Sequence, residues 1–231
     1  SDGIKALTAD QVTALTTSQV SKLSVEQVEK LSASQVQAIG TTNLKQLTND
    51  QIAALTSTAV KGMSVDQLSV ITTAQLVNLT TGQIGVLTAD QIAGLTTAQV
   101  GKLTDVQVGA LTSSQVKVIE TIDLQQLTAA QLQAITTTAV KAMTVDQMAA
   151  ITTAQIDKFT EAQVGVLSAA QVQSFATADV VKLTNSQVQA LTTTAIKGML
   201  TEQVSSLTAT QLANLTTAQV AVLTADQLVS L

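Results

Sequence analysis

The chain has 231 residues, 45% of them hydrophobic, with a formal charge of −5 from 16 acidic and 11 basic residues, every basic one a lysine. Cys, His, Trp, Tyr, Arg and Pro are absent, which excludes a disulfide framework, a thiolate nucleophile, a Cys-based metal site and any His-dependent triad. An acidic chain without clustered basic residues argues against a nucleic-acid surface, and there is no 18-residue apolar run to span a membrane.

Ser1-Asp2-Gly3-Ile4-Lys5-Ala6 lacks the apolar core of a signal peptide and reads as the tail of an earlier repeat. From Leu7 onward every eighth residue is Leu, Ile, Met or Phe as far as Leu231, with no insertion or deletion. The octad runs aliphatic, Thr or Ser, two variable places, Gln, a second aliphatic, and two more variable places. Gln fills the fifth place in 22 of the 28 octads, and Thr or Ser fills the second in 24. Thr followed three residues later by Gln is the spacing of a capping box, and the flanking aliphatics, such as Leu7 and Val12, stand where a hydrophobic staple needs them. Charges agree: Asp10, Glu26, Asp50, Asp66, Asp90, Asp146, Glu202 and Asp226 occupy the fourth place, inside the expected first turn, while ten lysines from Lys22 to Lys197 occupy the seventh or eighth. Glycines such as Gly62, Gly94 and Gly198 share those last places, where positive φ is expected to end a helix.

Each octad therefore predicts one short capped helix. A β-solenoid is the rival, since Thr and Val favour strands. The two aliphatic anchors are five and then three residues apart, however, and an uninterrupted strand would point them to opposite faces. One continuous helix fails as well: at about 100° per residue, eight residues overshoot two turns by about 80° and the apolar stripe would wander. Ordering eight residues costs on the order of 8–16 kcal/mol, whereas burying two aliphatic side chains returns roughly 3–6, so octads must stack to share a core. The expected fold is an all-α solenoid, taken as one domain over 1–231 because no linker interrupts it.

A longer period lies above the octad. The irregular octads at Ile39-Gly40-Thr41-Thr42-Asn43-Leu44, at Ala59-Val60-Lys61 and at Met63 return eighty residues on around Asp123, Ala139 and Met143. They return again fifty-six residues later around Asp179, Ala195 and Met199. The blocks are 7–86, 87–166 and a shortened 167–222, with another beginning at 223. Losing three octads at once points to three per coil, with two per coil the alternative. Asn43, Ala59, Asp123, Ala139, Asp179 and Ala195, which replace the fifth-place Gln, are candidate binding positions or, alternatively, points where helix length or curvature changes. On the second reading Asn43, Asp123 and Asp179 serve as alternative caps.

Little chemistry is expected. Acidic residues are isolated, with no EF-hand or Gly-Asp nonapeptide spacing, and no Gly-rich phosphate loop occurs. No enzyme activity, cofactor or metal site is predicted. Recurrent Gln residues are expected to form ladders between coils, and regular Thr rows offer an alternative function as a binding face for an ordered surface such as ice or polysaccharide. Both ends lack a polar capping unit, so the array is expected to continue in the native protein or to self-associate end to end.

Leu7-Thr8-Ala9-Asp10-Gln11-Val12 resembles the opening helix of TAL effector repeats, with Thr as the cap. The rest of that repeat, including its base-reading loop, is missing, and DNA binding is not implied. Over the whole chain, the Leu-Thr-x-x-Gln-Val reiteration is similar to repeat tracts of very large bacterial secreted or surface proteins, adhesin-like ones included. That resemblance implies a structural spacer, stalk or scaffold outside the cell, with adjoining repeats as its partners and room for a protein-binding groove.

Overall fold

A computed structural model of the chain describes residues 2–231. Among them there are short helices and no strands, so the all-α expectation holds and the β-solenoid does not. Each octad contributes one helix of four to six residues, from Ala9–Thr13 to Ala225–Val229. The exception is the octad opening at Ile151, which holds the 3-10 helix Ile156–Lys158. A second 3-10 helix, Asp2–Ala6, precedes the first octad and stands where the end of an earlier one would.

The sequence signals account for the helix starts. In Ala9–Thr13 the Thr8 hydroxyl accepts from the Gln11 N–H at 3.2 Å, and Gln11 Oε1 accepts from the Thr8 N–H at 2.9 Å. The same reciprocal pair recurs in the octads that keep both Thr or Ser and Gln, as at Thr224 and Gln227, each cap contributing about 1 kcal/mol. The fourth-place acids all lie in first turns, facing the positive end of the helix dipole.

The helix ends differ from expectation. No described glycine has positive φ. Gly62 and Gly94 end their helices at φ −79° and −88°, still right-handed. The bend is made instead by two extended residues, the first-place aliphatic and the second-place cap: Ile71 at φ −62°, ψ 142° and Thr72 at φ −68°, ψ 156°. Both lie in the polyproline II region, open to any L-residue, so the corner needs no left-handed position.

The chain divides into two compact units, 1–118 and 119–231. In the first, each helix up to Ala89–Ala93 packs on the one three octads further along: Ala9–Thr13 on Ala33–Ala38, then Ser57–Lys61, Thr81–Gly85 and Asp105–Gly109. The helices beginning at Thr17 and Val25 found two parallel columns. In the second unit the same rule links Thr121–Leu124, Val145–Ala149, Ala169–Gln173, Thr193–Gly198 and Thr217–Ala221. Three octads therefore make one coil in each unit. Sixth-place residues such as Val36, Leu68, Leu132 and Val204 are fully buried, first-place residues such as Leu31 and Leu183 nearly so, and together they form the core. An isolated five-residue helix is unstable in water, so this shared burial is what holds the helices.

Candidate functional site

The residue that organises every coil is the fifth-place Gln. In the first unit, Gln67 Oε1 accepts from the Ser64 N–H of its own helix start at 2.9 Å, while its Nε2 donates to the carbonyls of Val36 and Ile39 at 2.9 and 2.8 Å. In the second, Gln203 accepts from Leu200 N–H at 3.0 Å and donates to Val172 and Phe175 at 2.9 and 2.7 Å. The acceptors lie 31 and 28 residues back, on the corner of the preceding coil. A helix leaves N–H groups orphaned at its start and carbonyls orphaned at its end. One amide serves both, which is why Gln can be almost fully buried in so apolar a repeat. The chain's beginning follows suit, with Gln35 donating to Ile4 and Leu7, both at 2.8 Å.

The six residues that replace this Gln are not brought together into one site; each occupies its own corner. Ala59, Ala139 and Ala195 are fully buried, and their amides still bond the cap hydroxyls of Thr56, Thr136 and Thr192. At two of these octads the helix end lies close against the coil behind it. A Cβ on Gly62 would stand 2.7 Å from Ala33 Cβ, and one on Gly198 2.5 Å from Ala169 Cβ. These glycines are used for close approach, a role the sequence analysis did not assign.

Asn43 does not cap its helix, whose start at Gly40 has no side-chain cap. It clamps the neighbouring coil, accepting from the Thr17 hydroxyl at 2.7 Å and donating to the Leu15 carbonyl at 3.0 Å. Asp179 combines both jobs: it accepts from the Ala176 N–H at 3.1 Å and from the Thr153 hydroxyl at 2.6 Å. Ala176 has no side-chain oxygen, so only this half of a capping box exists there. Asp123 is buried, and its Oδ1 has no hydrogen-bond partner among the described residues. A sequence signal for these pairs did exist, since Thr precedes Asn43 and Asp179 by 26 residues.

Outside the corners, the 3-10 octad of the second unit carries Asp157 and Lys158. Two shallow concavities of about 440 Å³ each share Asp157. One is bordered by Thr153, Lys158 and Lys182, the other by Phe159, Thr160, Glu161 and Thr184. Asp157 pairs with Lys158 at 2.9 Å, the sole ion pair among the described residues. No group of three or more metal-ligating side chains occurs among them.

Residues 60–97, 76–105 and 116–153 match the family model of the ALTTAQ repeat. The phrase stands almost verbatim in Leu95-Thr96-Thr97-Ala98-Gln99, where Thr96 and Gln99 form the capping pair. No curated protein matches the chain. The match and the helical columns agree on a repeat protein, and no helix among the described residues is long and apolar enough to cross a membrane.

Proposed function

We propose that the chain is a non-catalytic structural segment, a spacer or scaffold within a larger bacterial extracellular protein. The observation that carries this reading is where the polar groups go. The fifth-place amides are spent on the corners and the second-place hydroxyls on the caps. The polar chemistry of the octad is thereby consumed in holding the array together. The residues left outward, at the third, fourth, seventh and eighth places, are mostly small, neutral or singly charged. The extracellular setting rests on the resemblance of the reiterated octad to secreted and surface repeat tracts.

The test is to exchange outward residues in the full-length protein. Replacing the third- and fourth-place side chains of one whole coil by Ala should leave the function of the parent protein intact. Deleting several coils should impair that function in proportion to the number removed. Loss of function from surface exchange alone, at unchanged helicity, would instead point to a specific binding face. Protease treatment of intact cells tests the setting, with release of octad fragments expected.

A further inference from the structure

The chain has five asparagines, and they divide by what their amides do. Asn43 donates to the Leu15 carbonyl of the coil behind. Asn78 and Asn214, both in the eighth place, donate only within their own octads, to the carbonyls of Ala74 at 2.6 Å and Thr210 at 2.7 Å. A primary amide carries two hydrogens, so each of these keeps one that engages nothing among the described residues. Asn78 is exposed and Asn214 half-buried. The sequence divides them in the same way. Asn78-Leu79-Thr80 and Asn214-Leu215-Thr216 are the chain's two Asn-x-Ser/Thr triplets, the acceptor signal for N-linked sugar. Asn43, Asn49 and Asn185 are followed two places on by Lys45, Gln51 and Gln187. Geometry adds a second regularity. Third- and eighth-place residues 29 apart meet on successive coils, since a Cβ on Gly62 would stand 2.7 Å from Ala33 Cβ and one on Gly198 2.5 Å from Ala169 Cβ. By that offset Asn78 lies against Asn49 and Asn214 against Asn185, on helix pairs that pack together. The four asparagines outside the Asn43 clamp thus form two pairs, one in each unit.

We propose that Asn78 and Asn214 are acceptors of an N-linked sugar, with Asn49 and Asn185 as the side chains beside its first ring. The proposal rests on the extracellular setting put forward under Proposed function. A transferase moves the glycosyl group from an activated donor, a sugar esterified to phosphate or pyrophosphate. The anomeric C1–O bond to the phosphate breaks, a C1–Nδ2 bond forms, and one amide proton leaves with the phosphate. The second hydrogen stays on Nδ2, so the bond to Ala74 or Thr210 survives. No bond between coils is displaced, as one would be at Asn43. The triplet hydroxyls are compatible too: Thr80 and Thr216 accept from the Gln83 and Gln219 N–H groups at 3.2 Å, which leaves the hydroxyl proton unused. Asn49 and Asn185 then offer a donor and an acceptor to the sugar hydroxyls.

The test is mass spectrometry of tryptic peptides from the full-length protein, taken from the cells that naturally make it. Cleavage after Lys45, Lys61 and Lys102 separates Asn43, Asn49 and Asn78, and cleavage after Lys182 and Lys197 separates Asn185 from Asn214. Added sugar mass is expected on Asn78 and Asn214 and on no other asparagine. Thr80→Ala should abolish it at Asn78 and leave Asn214 modified. Thr80→Ser, which keeps both the hydroxyl and the cap, should retain it. Asn78→Gln, which leaves the cap of the next helix intact, should abolish it as well. Unmodified asparagines in a protein that external protease removes from intact cells would overturn this inference and leave the extracellular setting standing. Unmodified asparagines in a protein that the protease cannot reach would overturn both. Sugar on Asn49 or Asn185 in place of Asn78 and Asn214, or sugar at Asn78 that persists in Thr80→Ala, would overturn the assignment of the acceptors.

Discussion

At the corner closed by Gln203, one amide ties the helix start to the coil behind through bonds to Val172 and Phe175. At the corner of Ala195, no side chain reaches back, and Gly198 lies against Ala169 with no room for a Cβ between them. The first is joined by an amide that reaches back from the helix start; the second is joined at the helix end, where Gln173 of the coil behind donates to the Gly198 carbonyl beside the Ala169 contact. Close approach at the eighth place is not confined to the Ala corners, since a Cβ on Gly94, whose octad keeps Gln91, would stand 2.1 Å from Val65 Cγ1. Octads that look degenerate beside their neighbours thus keep their hydroxyl caps and stack without a backward-reaching amide.

Exchanging one kind of corner for the other should be costly in both directions. Gln99→Ala removes bonds to Thr96 N–H, Leu68 and Ile71 without bringing the coils together. A loss of about 3 kcal/mol is expected from the unsatisfied buried groups and the cavity, read from urea unfolding. A change of under about 0.5 kcal/mol would show that the clamp is not what holds the corner. Ala195→Gln forces an amide into a closed contact and should cost about 1–3 kcal/mol by overpacking, seen as a lower Tm. Gly198→Ala should cost about 1–2 kcal/mol for the same reason. Its control is Gly85→Ala, where the new Cβ meets only the Ala110 carbonyl at 3.6 Å; there the gain in helix propensity should leave stability equal or higher by up to about 1 kcal/mol. The smallest effect is at Asp179, which cannot donate to the coil behind it as Asn43 does to Leu15. Asp179→Asn should add about 0.5–1 kcal/mol by supplying that donor and removing a buried charge; a lowered Tm would mean that its bond to Ala176 N–H matters more.

The helices were readable from the chain because capping is local: Thr8 and Gln11 are three residues apart, and the fourth-place acids mark the same first turns. The three-octad coil was also within reach, through the 24 residues missing from the last block. What could not be read were distances across the stack. Nothing near Gln67 announces that its amide reaches Val36 and Ile39, and the pairing of Gly62 with Ala33 has no local signature. The glycines were misjudged for the opposite reason, because a glycine at a helix end carries a strong local expectation. Here the extended pair at Ile71 and Thr72 had already made the turn. The alternative-cap role for Asn43 failed in the same way: its partners, Leu15 and Thr17, lie a full coil away.

The backward reach of the glutamines also sets an order for synthesis. A clamp such as that from Gln35 to Ile4 and Leu7 can close only once the chain has been made 31 residues past its first acceptor. Each octad that keeps its Gln emerges carrying the donor that secures a corner finished a coil earlier, with contacts about 28 to 31 residues apart. Short loop closures of this kind favour fast folding. They also leave little unpaired chain exposed at any moment, whatever the number of repeats.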